Sequence, residues 1–229
     1  MYSTSLLHLL HLCDSALPIG GFSHSAGLET YVQKGIVNNI DTAKEFVIQQ
    51  LSHNICYTDA ALLSLAYDAF GKGDVQMIVE LDELCTAVKL PKEARLASNK
   101  LGVRLLKIFE HSETAGLINK YKEAVRSQQV PGNYCIVFGL LAHILHIDKE
   151  EALTAFYYNT ANGFVINAIK LIPLGQQDGQ QVLMSLFPLI DELVQQSLRP
   201  DKEMIGSCCA GFDIRCMQHE QLYSRLYMS

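Results

Sequence analysis

The chain contains no tryptophan and little charge: only 18% of its residues are Asp, Glu, Lys or Arg, against 49% hydrophobic, with a mean hydropathy of +0.13. The net charge is -6 and no long basic run occurs, which argues against nucleic acid as a partner. The longest strongly apolar stretch, 134–145, is too short to cross a bilayer, and no basic, apolar and small-residue series resembles an export signal. A cytoplasmic, non-membrane protein is therefore expected. Seven cysteines make an odd set, mostly within apolar helical patterns, which reads as reduced thiols and not as a disulfide framework. Alternating strand patterns and internal repeats are lacking. The low charge leaves an apolar surplus that suggests buried interfaces in addition to a core.

What is present is helical periodicity almost throughout. Thr42-Ala-Lys-Glu45 has the form of a capping box opening a segment that runs to about Phe70, with Ile48, Leu51, Ile55, Leu62 and Ala66 at helical spacing and Asp59 interrupting that face. Gly71-Lys-Gly73 closes it, and Asp74 is placed to cap the next helix. Pro91 sits where the first turn of a new helix tolerates it, with Ala94, Ala97, Leu101, Leu105 and Ile108 in register, and Ser112 can cap a short helix beyond it. The loop 128–132 leads into the apolar 134–145 segment, apolar on nearly every side and so expected to be central. Asp148 opens a helix that the period carries through Asn162-Gly163, although that pair alone would suit a hairpin. Pro173 and Gly175 end it. A further helix spans Val182 to Ser197 with a kink expected at Pro188. The expected fold is an all-α, single-domain bundle of roughly eight to ten helices with irregular N- and C-terminal arms.

The last residues, 211–229, stand out. A terminal tail is commonly polar and poorly ordered. This one places Phe212, Ile214, Met217, Leu222, Tyr223, Leu226 and Tyr227 among Arg215, His219, Glu220 and Arg225. Two readings compete: a last helix packed on its own core, or a partner-binding segment that orders on contact. The expected division is a helical domain over 1–210 and a partner-binding tail over 211–229.

Chemical motifs are weak. His8/His11 and His143/His146 sit one helical turn apart but lack a third ligand at fixed spacing. Cys208, Cys209, Cys216 and His219 form the densest thiol and imidazole group, in no standard zinc spacing. Ser23 and His24 are adjacent and lack a nucleophile elbow. The glycine-rich 19–27 segment lacks the Gly-Lys-Ser/Thr ending of a phosphate loop. No catalytic residue, metal ligand set or cofactor site is expected.

Several stretches together carry a family resemblance. Asp14-Ser-Ala-Leu-Pro-Ile-Gly-Gly-Phe-Ser-His-Ser-Ala-Gly-Leu-Glu29 resembles the signature of the urease accessory protein F (UreF) family. The 92–106 segment resembles that family's Arg-x-x-Ser-x-x-x-Gly-x-x-Leu-Leu helix, here Arg95, Ser98, Gly102, Leu105 and Leu106. Asn133 to Ala142, Lys170-Leu-Ile-Pro-Leu-Gly-Gln176 and His219 to Ser229 resemble further family stretches, in order. Lys170 departs from the arginine more usual there, and Gly21 from another small residue.

The resemblance implies an all-α cytosolic homodimer without catalytic activity, a co-chaperone of nickel insertion. It implies bridging of the accessory protein UreD (UreH) to the GTPase UreG in a complex that loads apo-urease. It further implies a C-terminal tail that orders on binding UreD/UreH, with positions matching Tyr31 and Arg225 in UreG recruitment. Phe212, Arg215, His219, Glu220, Leu222, Tyr223, Arg225, Leu226 and Tyr227, with Tyr31, are the candidate partner-binding residues. Pro18, Gly20, Gly21, Gly27 and Glu29 are the candidate structural motif that sets the N-terminal path. The competing expectation is a helical nickel carrier using Cys208, Cys209, Cys216 and His219; a hydrolase built on Ser23 and His24 is more remote.

Overall fold

The computed structural model describes residues 2–21, 24–109, 116–207, 209–223 and 225–227. Helices occupy Tyr2–Leu12 (α1), Leu28–Gln33 (α2), Ile40–Gln49 (α3), Ala61–Lys72 (α4), Val75–Val88 (α5), Lys92–Ile108 (α6), Gly116–Arg126 (α7), Tyr134–Ile144 (α8), Lys149–Leu171 (α9), Gln176–Ser185 (α10), Phe187–Leu198 (α11) and Ala210–His219 (α12). A π-helical stretch, Gln50–Ala60, joins α3 to α4, so the chain runs helically from 40 to 72 without a break. The described residues contain no strand, and the expected all-α single domain is what forms.

The core is built around α8. Every residue from Cys135 to Ala142 is buried, which is why that segment is apolar all round. α4 and α6 pack against α8, while α9 packs against α11. The start of α8 is pinned from several sides. Asp82 of α5, wholly buried, accepts hydrogen bonds from the Gly132 and Asn133 amides at 2.8 Å each and from the Tyr121 hydroxyl at 3.0 Å. Ser98 Oγ accepts from the Tyr134 amide at 3.2 Å. Gly102 faces the Gly132 carbonyl so closely that a Cβ has no room. The Ser-x-x-x-Gly spacing on α6 is thus a seat for the α8 N-terminus.

Three local expectations need correction. Thr42 is not the cap of its helix. Asn39 is: its Oδ1 accepts from the Thr42 amide at 3.0 Å, and Thr42 Oγ1 accepts from the Asn39 amide at 3.1 Å. Asparagine caps as well as threonine, and the reciprocal bond places Thr42 at the third helical position. Pro188 does not kink one helix but lies in the first turn of α11, with α10 ending at Ser185, because a proline ring is tolerated where no intrahelical N–H is needed. His143 and His146 do not share a helical face, since α8 ends at Ile144 and His146 has φ 55°. Asp74 and Gly73 behave as expected, with the Asp74 carboxylate accepting from the Met77 amide at 3.0 Å and Gly73 at φ 70°. The Asn162-Gly163 pair lies inside the unbroken α9. Ser112 falls outside the described residues.

Candidate functional site: a latched C-terminal tail

The N-terminal loop leads directly to the site. Arg104 Nη1 of α6 donates to the Ile19 carbonyl at 3.0 Å, and Asn167 Nδ2 of α9 donates to the His24 carbonyl at 2.9 Å. These bonds fix the loop at both sides of 22–23. Pro18 immediately precedes the Ile19 anchor and Gly21 lies between the two anchors; Gly20 has φ 85° and Gly27 φ 80°, the left-handed region that glycine enters without steric cost. At Gly27 a side chain also lacks room, because a Cβ would sit 2.6 Å from Cys216 Sγ. Gly27 therefore lets α12 lie directly on the start of α2.

The following turn presents Glu29, a carboxylate only 5% exposed. Its Oε2 lies 3.1 Å from His219 Nε2, and its Oε1 accepts from the Leu226 amide at 2.8 Å. The Tyr227 amide reaches Oε2 at 3.3 Å. The imidazole of His219 is completely buried, and its other nitrogen, Nδ1, lies 2.7 Å from Glu93 Oε2 on α6. Glu93 Oε1 in turn accepts from Arg225 Nη1 at 2.8 Å. Two carboxylates from separate helices thus hold one histidine and the backbone beyond it. Charge-assisted bonds of this kind are the stronger ones, and a buried carboxylate needs such partners. Arg225 thus engages Glu93, an acidic group far from it in the chain.

The other candidates distribute around this latch. Tyr31 is half-buried and meets Phe46 edge-on at 5.1 Å between ring centroids; burial raises its hydroxyl pKa, the Cys216 thiol adds to this, and Arg215 opposes it. Arg215 Nη1 donates to Gln218 Oε1 at 2.8 Å along α12. Phe212 is half-buried and lines an open cavity of about 290 Å³ between the N-terminal loop, the π-helical stretch, α6, α9 and α12. Tyr227 is buried, and Leu222 partly so. Glu220, Tyr223, Leu226, Ile214 and Met217 face outward, and Tyr223 is fully exposed. The tail therefore has an inner row that binds its own domain and an outer row of apolar groups.

The competing groups are not brought to a ligating geometry among the described residues. Cys208 and Ser23 lie outside them. Cys216 is buried against Gly27, its thiol pKa raised by burial and then by Asp213, Glu93 and Glu220. Both ring nitrogens of His219 are occupied by carboxylates. His24 has a lowered pKa, from burial first and then from Lys100 and Arg104. Sequence reasoning found Glu29 and His219 separately but not their pairing, and it missed Glu93. The one available signal was that all three fall in the stretches that carry the family resemblance.

The helical domain thus fastens its own tail through a polar site and leaves an apolar row outside. The comparisons with known proteins give its family. The UreF family model matches residues 37–187. A urease accessory protein UreF from Actinobacillus pleuropneumoniae serotype 5b (strain L20) is 48% identical over 96% of this chain and 97% of its own length. The protein of the same name from Haemophilus influenzae (strain PittEE) is 48% identical over 99% and 96%, and that from Bacillus sp. (strain TB-90) 34% identical over 98% and 99%. The chain belongs to the UreF family.

Proposed function

We propose that this protein is a non-catalytic co-chaperone of urease maturation. In this reading it acts in the cytoplasm as a homodimer and bridges UreD/UreH to the GTPase UreG, so that nickel is inserted into apo-urease with GTP hydrolysis. The observation that carries the reading is the division of the tail into a latched inner row and an exposed outer row. Tyr223, Leu226, Ile214 and Met217 offer apolar area to a partner, while Glu29, Glu93, His219 and Arg225 hold that area in one conformation. Pre-ordering a docking segment reduces the entropy lost on association. Binding two partners at once raises the effective concentration of each for the other.

The division into a domain over 1–210 and a tail over 211–229 belongs to the same reading. A chain ending at Ala210 is expected to fold, since only Cys216, His219 and Tyr227 of the described tail residues are buried. It is expected to lose UreD/UreH in co-purification and to leave urease inactive in a reconstituted activation assay. A truncated chain that still captured UreD/UreH at full yield would refute the tail as the docking element.

A further inference from the structure

Away from the tail latch, three potential metal ligands converge in the core. Asp59 comes from the π-helical stretch, Cys85 from α5 and Cys135 from α8. One ligand atom from each lies within 4.8 Å of the others. The two sulfurs are 3.5 Å apart. A tetrahedral ion with metal–sulfur bonds of about 2.3 Å holds two sulfurs ~3.8 Å apart, so the pair needs little adjustment. Asp59 is the residue that breaks the apolar face of its helix, and π-helical insertions recur at functional sites.

A cation already occupies the carboxylate side of this cluster. The Lys89 ammonium, one residue beyond α5, is paired with Asp59 Oδ2. Asp59 and Lys89 both line the 290 Å³ cavity, whereas Cys85 and Cys135 are wholly buried behind them. The cavity thus leads to the charged side of the cluster.

We propose that Asp59, Cys85 and Cys135 form a binding site for one borderline-soft divalent ion of the zinc type, with a cavity water as fourth ligand. Two thiolates and a carboxylate select such an ion over magnesium or calcium. On binding, each thiol loses its proton to solvent through the cavity, and two metal–sulfur bonds form. Lys89 keeps its proton and withdraws from the metal-facing oxygen of Asp59. The cluster is neutral as the Asp59–Lys89 pair, and it remains neutral with a divalent ion, two thiolates, Asp59 and Lys89. A buried site that keeps its net charge on exchanging protons for metal avoids the main cost of burying an ion. Because two thiol protons are displaced on binding, affinity rises with pH. The site does not depend on the role proposed for the tail.

The test is titration of the reduced full-length protein with Co2+, followed by displacement with Zn2+. One Co2+ per chain is expected, with thiolate-to-metal charge-transfer bands in the near ultraviolet and tetrahedral bands in the visible, all bleached by Zn2+. Cys85→Ser and Cys135→Ser are expected to weaken binding by more than the ~10–100-fold that loss of an outer-shell contact costs. Cys209→Ser and Cys216→Ser are expected to leave the bands intact. Absence of sulfur bands at saturating Co2+, or their loss in the Cys209 or Cys216 variants instead, overturns the proposal. Should a core cysteine variant fail to fold, X-ray absorption of the zinc-loaded wild-type protein decides. Two sulfurs with oxygen or nitrogen completing the shell support the site, and any other sulfur count refutes it.

Discussion

Glu29 of α2 and His219 of α12, separated by 190 residues in the chain, meet with Oε2 and Nε2 3.1 Å apart and the imidazole fully buried. Because Glu29 also accepts from the amides of Leu226 and Tyr227, one carboxylate ends a helix–helix contact and begins the tail path. Removing it leaves the buried His219 ring nitrogen and Tyr227 amide without that partner, at about 1–3 kcal/mol for each, and frees the part-buried Leu226 amide. Glu29→Ala is expected to abolish hydrogen-exchange protection at the Leu226 and Tyr227 amides while amides in α8 keep theirs. Unchanged tail protection would show that other contacts hold the tail.

Arg225 contributes differently, since it is more than a third exposed and its partner Glu93 retains His219. Arg225→Ala is expected to shift stability by no more than ~1 kcal/mol, in line with an exposed ion pair. UreD/UreH binding is expected to be largely kept and UreG recruitment lost. Normal yield of all three proteins in one co-purification would remove Arg225 from the recruiting surface.

Gly27 combines a left-handed backbone with a contact that a Cβ would occupy 2.6 Å from Cys216 Sγ. Gly27→Val is expected to cost on the order of 1–3 kcal/mol through backbone strain alone, and more through displacement of α12. Urea melts should register this, and urease activation should fall further than with Gln129→Ala, an exposed change in the loop before α8. Equal tolerance of the two would make the glycine segment a plain linker.

Alkaline pH should destabilise the fold. Burial raises the Cys13 thiol from 9.0 to about 11, and burial followed by Asp213, Glu93 and Glu220 raises Cys216. A thiol that stays protonated in the folded chain but ionises in the unfolded one favours unfolding once the pH exceeds the unfolded value. Stability is thus fully present below pH 9.0 and falls above it, for Cys13 up to about pH 11. The slope approaches ~1.4 kcal/mol per pH unit for each such thiol. Denaturant midpoints for the wild type and Cys13→Ala across this range measure it; identical slopes would show that Cys13 does not contribute.

Much of the helical layout was legible because short-range physics sets it. The period of apolar residues carried α9 through Asn162-Gly163, and the all-round apolar composition marked α8 as central. Where two residues of similar capping ability stood close together, as with Asn39 and Thr42, the choice depended on a reciprocal hydrogen bond that pattern alone does not reveal. At Pro188 a kink and a new helix start read alike in sequence, because proline is compatible with both.

The sequence by itself determined that the chain is helical, which faces are apolar, and that the tail carries an unusual number of apolar groups for a terminus. Those properties follow from local backbone preference and side-chain periodicity, and they survive without knowledge of the neighbours. Only the tertiary structure decided that Glu29, Glu93 and His219 form one latch, that Arg225 meets Glu93, and that Asp59, Cys85 and Cys135 converge around the Lys89 pair. Each of these depends on helices packing at fixed distances across the core. Side-chain chemistry defines what such groups can do, but packing alone brings residues distant in the chain within bonding range.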